Sequence, residues 1–150
     1  VSSSYVRTQI KNFIGVEAPT ENLIDLSSKY NSIHDLIKRA GYTPSDPWLG
    51  VSFIGAEELP VSTPANNTTG LYREFGTILL HVVSPIRYDA GDLILARAEA
   101  LRDSFRGSRI GDVLIESVGP PNTEDGATLQ FEGGYTSASV VINYYRDLKK

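Results

Sequence analysis

The stretch "YREFGTILLHVVSP", residues 72–85, decides the fold. From Ile78 onward it is almost unbroken in Ile, Leu and Val, whereas a strand with one wet face alternates apolar and polar residues. The run therefore predicts a strand from about Tyr72 to Val83 that lies mid-sheet or has both faces covered. Pro85, which has no backbone donor, stops it. Upstream, "WLGVSFI", Trp48 to Ile54, alternates well enough for a second strand. Between the two, "GAEELPVSTPANNTTG" reads as a polar excursion containing Pro and Gly, not as a domain boundary.

Downstream comes a helix. Asp89 is placed to cap it and Asp92 suits its dipole, while Ile94, Ala98, Leu101 and Phe105 recur at helical spacing and Gly107 closes it. "DVLIESVG" predicts a strand with Val113, Ile115 and Ser117 on one face and Leu114, Glu116 and Val118 on the other. "TSASVVINYYRD" predicts another, with Val140, Ile142 and Tyr144 opposed to Val141, Asn143 and Tyr145. Tyr144 and Tyr145 are successive, so only one of them can face the core. Two strands, a helix and two strands predict an α+β domain: a mostly antiparallel sheet with helices packed on one face. A single domain is expected over residues 1–150, with an α+β core at 48–147 and a helical segment at 1–47. In that segment Tyr5, Val6, Ile10, Phe13 and Ile14 suggest a short helix ended by Gly15 and Pro19. A second helix is expected in "NSIHDLIKRAG", with Ser32 as cap, Asp35 in its first turn, Ile33, Leu36 and Ile37 on one side, and Lys38, Arg39 and Gly41 at its end.

Composition excludes several classes of function. The 150 residues carry 18 acidic and 14 basic side chains, a formal charge of −4 that argues against holding DNA by neutralising many phosphates. There is no cysteine, hence no disulfide framework and no thiolate nucleophile or ligand. The apolar runs are strand-sized, and the opening "VSSSYVRTQIKNFIG" lacks the apolar core of a signal peptide, so a soluble, unsecreted protein is expected. No G-x-S-x-G, Walker loop, G-x-G-x-x-G or H-E-x-x-H occurs. His34 and His81 have no second histidine nearby; His81, within an apolar strand, reads as a hydrogen-bonded or interface residue, and His34 as solvated. The N-x-T triplets at Asn66 and Asn67 carry no weight without a route to secretion. No enzyme, metal or cofactor is expected.

Charge is unevenly spread. From Gly111 to Tyr135 the chain has Asp112, Glu116, Glu124, Asp125 and Glu132 and no basic residue, directly after Arg106 and Arg109. One reading is a solvated hairpin tip beside a helix end whose arginines complement its dipole. The other is that acidic and basic patches meet between copies of the subunit, since arginine forks pair well with carboxylates.

In order and spacing, "PWLGVSFIGAEELPVS", "YREFGTILLHVVSP", "AGDLILARAEALRDSFRG", "IESVGPP" and "GGYTSASVVINYYRD" resemble the tail terminator, or tail completion, proteins of long-tailed bacteriophages and related phage-like particles. The resemblance spans about Trp48 to Asp147, and its most telling pieces are Tyr72, Arg73, Glu74 and Gly76, the helix segments Arg-Ala-Glu-Ala-Leu-Arg and Phe-Arg-Gly, and Tyr145-Arg146-Asp147. It implies a structural virion protein at the head-proximal end of the tail, made in the host cytoplasm. Such a protein is a homo-oligomer, usually a hexameric ring, that caps the tail tube protein, stops tube polymerisation and offers a docking surface to the head-completion or stopper (connector) protein. DNA would pass its lumen without specific binding, which suits a negative charge balance. Together with the charge pattern, the resemblance nominates Glu57, Glu58, Arg73, Glu74, Arg97, Arg102, Arg106, Arg109, Glu116, Glu124, Asp125, Tyr145 and Arg146 as contacts to a neighbouring subunit or the tube. The long stretches 55–70 and 119–134 are expected to reach partners. A head-completion or stopper protein of the neck is the alternative from the same assembly; a small enzyme with an unrecognised site is the alternative from another class.

Overall fold

The run that opens the sequence reading is the central strand. In the computed structural model, which describes residues 3–26, 33–42, 46–62, 71–85, 91–121 and 135–149, β3 (Leu71–Pro85) is flanked by β2 (Trp48–Ser62) and β6 (Tyr135–Lys149), both antiparallel to it. Three shorter strands complete a six-stranded sheet: β1 (Leu23–Asp25), β4 (Arg109–Ile110) and β5 (Val113–Val118), in the order β1-β2-β3-β6-β5-β4. All neighbours are antiparallel except β1 and β2. The helices are α1 (Ser4–Glu17), α2 (Ile33–Arg39) and α3 (Gly91–Phe105), giving the expected single-domain α+β fold.

The main core lies on one face of the sheet. Val6, Ile10 and Ile14 of α1 and Ile94, Ala98, Leu101 and Phe105 of α3 pack on Leu49, Val51, Leu80, Val82, Val140 and Ile142, all buried. Phe13 meets Phe105 edge to face, ring centres 4.8 Å apart. Ser3 caps α1, its Oγ accepting from the Val6 N–H at 3.4 Å. The helix runs through Gly15 and ends at Glu17, because glycine only weakens a helix whereas Pro19 cannot continue one.

The shortest helix adds a second, smaller cluster. Leu36 and Ile37 of α2 pack with Ile24, Trp48 and Val83, whose side chains alternate with those of the main core. Gly41, at φ +82°, ends α2 in the left-handed conformation, with Tyr42 N–H reaching back to Ile37 C=O at 3.1 Å. Both faces of β3 are thus covered over Leu79 to Val83, as its unbroken apolar run requires.

Three expectations need correction. Strand β2 does not end at Ile54: it continues to Ser62, absorbing Gly55 (φ +46°) in a bulge and showing a second irregularity near Pro60. Turn-forming residues read as a loop are here edge-strand features, since β1 pairs only with Leu49 to Val51 of β2. Ser117 does not share a face with Val113 and Ile115, because a bulge at Glu116 shifts the register and pairs Ser117 with Asn143, so that Val118 turns to pack against the core. The segment 1–47 is not wholly helical, since it contributes β1 to the sheet. The expected caps Asp89 and Ser32, the side chains of Ile33, His34 and Asp92, the N-x-T triplets and Glu132 lie outside the described residues.

Candidate functional site: the open end of the sheet

Toward the C-terminal end of β2, the described residues cover only one face of the sheet. On that face Tyr144 is buried, and its ring lies across Gly76, where a Cβ would come within 2.4 Å of its hydroxyl. The Tyr144 hydroxyl donates to Glu74 Oε2 at 2.7 Å, and the Ser3 N–H approaches the same oxygen at 3.4 Å. A carboxylate buried to 5 % exposure thereby sits at the positive end of α1. Opposite it in register, Arg146 stacks over Tyr5 at 4.1 Å and donates from Nη1 to Ser3 Oγ at 3.4 Å.

The other face of the same strands is open among the described residues. Thr77 Oγ1 donates to Asn143 Oδ1 at 3.0 Å, and Asn143 Nδ2 donates to Ser117 Oγ at 3.0 Å, a polar row across β3, β6 and β5. Ile54 and Val141 flank it at 46 % and 40 % exposure. The next row holds Glu57, Phe75 and Tyr145, and the one after it Leu59, Arg73 and Asp147. Arg73 lies 4.3 Å from the centre of the Tyr145 ring and binds Asp147 through Nε at 2.6 Å and Nη2 at 3.1 Å. That fork holds the Asp147 carboxyl below its ordinary pKa and raises that of Arg73. Between Glu57 and Glu116 the surface dips into a concavity of about 340 Å³ lined also by Phe75, Thr77 and Asn143. Two exposed carboxylates, an aromatic ring and an amide row suit recognition of a cationic side chain on an apolar stem.

The nominated contact residues fall into three groups. Glu57, Arg73, Glu116 and Tyr145 gather around the open face, and Glu58 is exposed on the same strand as Glu57. Arg102, Arg106 and Arg109 lie at the other edge, where α3 leads into β4; Arg102 binds Asp103 at 3.1 Å and Arg109 donates to Gly111 C=O at 3.3 Å. Glu74, Arg97 and Arg146 are engaged inside the subunit. Arg97 forks onto Glu21 at 2.9 and 2.5 Å and donates to Ser84 Oγ at 2.8 Å, fastening α3 to the chain before β1. Its partner is 76 positions away, so no local pattern announces it. Glu124 and Asp125 lie outside the described residues. Ile54, Phe75, Thr77, Asn143 and Val141 were not nominated; an asparagine within "VVINYY" was the available signal that this face meets water.

His81 is buried, its Nδ1 3.3 Å from Ser139 Oγ, and burial lowers its pKa to about 4. Among the described residues no cluster of three His, Asp or Glu could hold a metal ion, and no helix is long and apolar enough to cross a membrane.

No protein-family model matches the chain, and no curated protein is similar to it. Among solved structures, one chain superposes with a TM-score of 0.48 at 17% identity, over 97% of this chain and 96% of its own length.

Proposed function

We propose that this chain is a structural subunit of the tail terminator kind, closing copies of itself into a ring on the head-proximal end of a phage tail tube. The ring stops addition of tube subunits and presents its outer side to the head connector. One observation carries the reading: among the described residues, the sheet ends in an uncovered face with exposed Ile54, Leu59 and Val141 beside a stretch of β2 that no described strand pairs on its outer side, while the other face carries the main core. Apolar side chains grouped on one uncovered sheet face suit a protein partner. The opposite edge of the sheet, with Arg106 and Arg109, is chemically unlike it. Two unlike surfaces are what head-to-tail association into a ring uses, whereas a two-fold dimer uses one surface twice. The ordered segments from Trp48 to Asp147 supply the tail terminator resemblance.

The test is size-exclusion chromatography with light scattering, alone and with polymerising tail tube subunits. The expected outcome is a ring-sized species and tubes that stop growing once it binds. Tubes that lengthen unchanged in its presence, with no bound chain, would remove this reading. Binding to the connector but not to the tube would favour the neck stopper instead.

A further inference from the structure

We propose that the concavity between Glu57 and Glu116 is a socket for Arg106 of a second copy, and that this insertion is the head-to-tail contact. The inference rests on the ring reading for its biological role but stands on its own geometry. The socket's polar row is already satisfied internally, since Thr77, Asn143 and Ser117 bond one another. What the concavity still offers is two carboxylates and the Phe75 ring. Glu57 and Glu116 are exposed and make no ion pair among the described residues. A guanidinium satisfies both features together, with fork hydrogen bonds to carboxylates and its flat face on an aromatic ring.

Arg73 is a cation of the same chain that acts on Glu116, and its fork is taken by Asp147. Among the described residues no cation forms an ion pair with Glu57 or Glu116. At the other side of the molecule the situation is reversed. Of the three arginines at the end of α3, Arg102 binds Asp103 and Arg109 binds Gly111 C=O, whereas Arg106 is exposed and its side chain makes no hydrogen bond or ion pair among the described residues. Arg106 follows directly on α3, which packs against the covered face, while the socket opens on the opposite one. The sheet stands between them, so the chain does not fill its own socket. A second copy carries the complementary charge and leaves its own socket free for a third, so the contact propagates and closes where its rotation divides a circle.

Charge reversal tests this by light scattering at low salt. Glu57→Arg/Glu116→Arg gives a basic socket facing a basic plug, and Arg106→Glu an acidic plug facing an acidic socket. Each variant alone should self-associate at least about tenfold more weakly than the unaltered chain, as expected for close charge pairs. An equimolar mixture should associate again, because each variant's plug then suits the other's socket. All substituted positions are exposed, and circular dichroism reports that each variant is folded. The absence of native cysteine allows a second readout. Glu57→Cys mixed with Arg106→Cys should form a disulfide between the two, faster than either variant pairs with itself. Reversal without effect, a mixture that does not recover, or Glu57→Cys joining mainly to itself would overturn the socket while leaving ring formation intact. A chain that stays monomeric alone but assembles on tail tubes would also overturn the socket and keep the ring; failure to bind tubes as well would remove the ring reading.

Discussion

The two faces of the β3–β6 ladder are built from alternate residues of the same strands, yet they meet different surroundings. One face carries the main core under α1 and α3, with Glu74 buried near its end and Glu58 exposed beside it. The other is closed around Trp48, His81 and Val83, with α2 over part of it, and among the described residues then opens into a polar row edged by Ile54 and Val141. Backbone pairing is equally regular on both, since β3 and β6 stay in register from Leu71↔Lys149 to Pro85↔Tyr135. Regular pairing therefore does not mean equal burial. Among the described residues the larger core is on one face, and the exposed Ile54, Leu59 and Val141 are on the other.

The comparison breaks most visibly in the closed core. Phe105 is fully buried against Phe13, so Phe105→Ala should lower the free energy of unfolding by about 3–5 kcal/mol, read from the denaturant midpoint. A loss below about 1 kcal/mol would mean that α3 is not packed as described. Next comes the polar group inside that face. Tyr144→Phe removes the donor at 2.7 Å from buried Glu74 and should cost about 1–3 kcal/mol. An unchanged midpoint would show that Glu74 has other donors of equal strength.

His81 probes the covered part of the second face. Its folded pKa, about 4, lies below the ordinary 6.5, so the unfolded chain takes up the proton first as pH falls. The contribution of His81 is undiminished above pH ~6.5, declines from there to about 4 and then levels off. At pH ~5 the loss should be roughly 2 kcal/mol relative to pH ~7.5. His81→Gln should lose that part of the pH dependence, measured as the difference in unfolding free energy between the two pH values. An identical slope in both chains would mean that water reaches this imidazole.

Much of this arrangement was legible in the sequence, for a physical reason. Ile94, Ala98, Leu101 and Phe105, and the alternation from Val140 to Tyr145, record burial with the period of the element itself, which is local information. What escaped depends on distant partners. Whether Gly55 and Pro60 form a loop or a bulged edge is decided by Leu71 to Gly76 across the hairpin. The bulge that turns Ser117 over becomes visible only in its pairing with Asn143. Glu74 and Arg97 look like surface charges until the residues 70 and 76 positions away that bind them are known. The open face was half legible: Tyr145 and Asn143 were assigned to the side away from the core, but nothing local distinguishes a side covered by α2 from one left bare.

The smallest expected effect sharpens the contrast most, because it compares neighbours. Val140 and Val141 are adjacent on β6 with side chains on opposite faces; the first is fully buried and the second 40 % exposed. Val140→Ala removes core volume and should be plainly destabilising, whereas Val141→Ala should change the unfolding free energy by no more than about 0.5 kcal/mol. If Val141 lies in a contact between copies, the same substitution that is silent in the monomer should still weaken self-association, because apolar area gained there is buried only on assembly. Measuring both quantities on both variants separates the two uses of the strand. Should Val141→Ala destabilise the monomer as much as Val140→Ala does, the second face would be a closed core like the first, and no surface there would be left to bind another subunit.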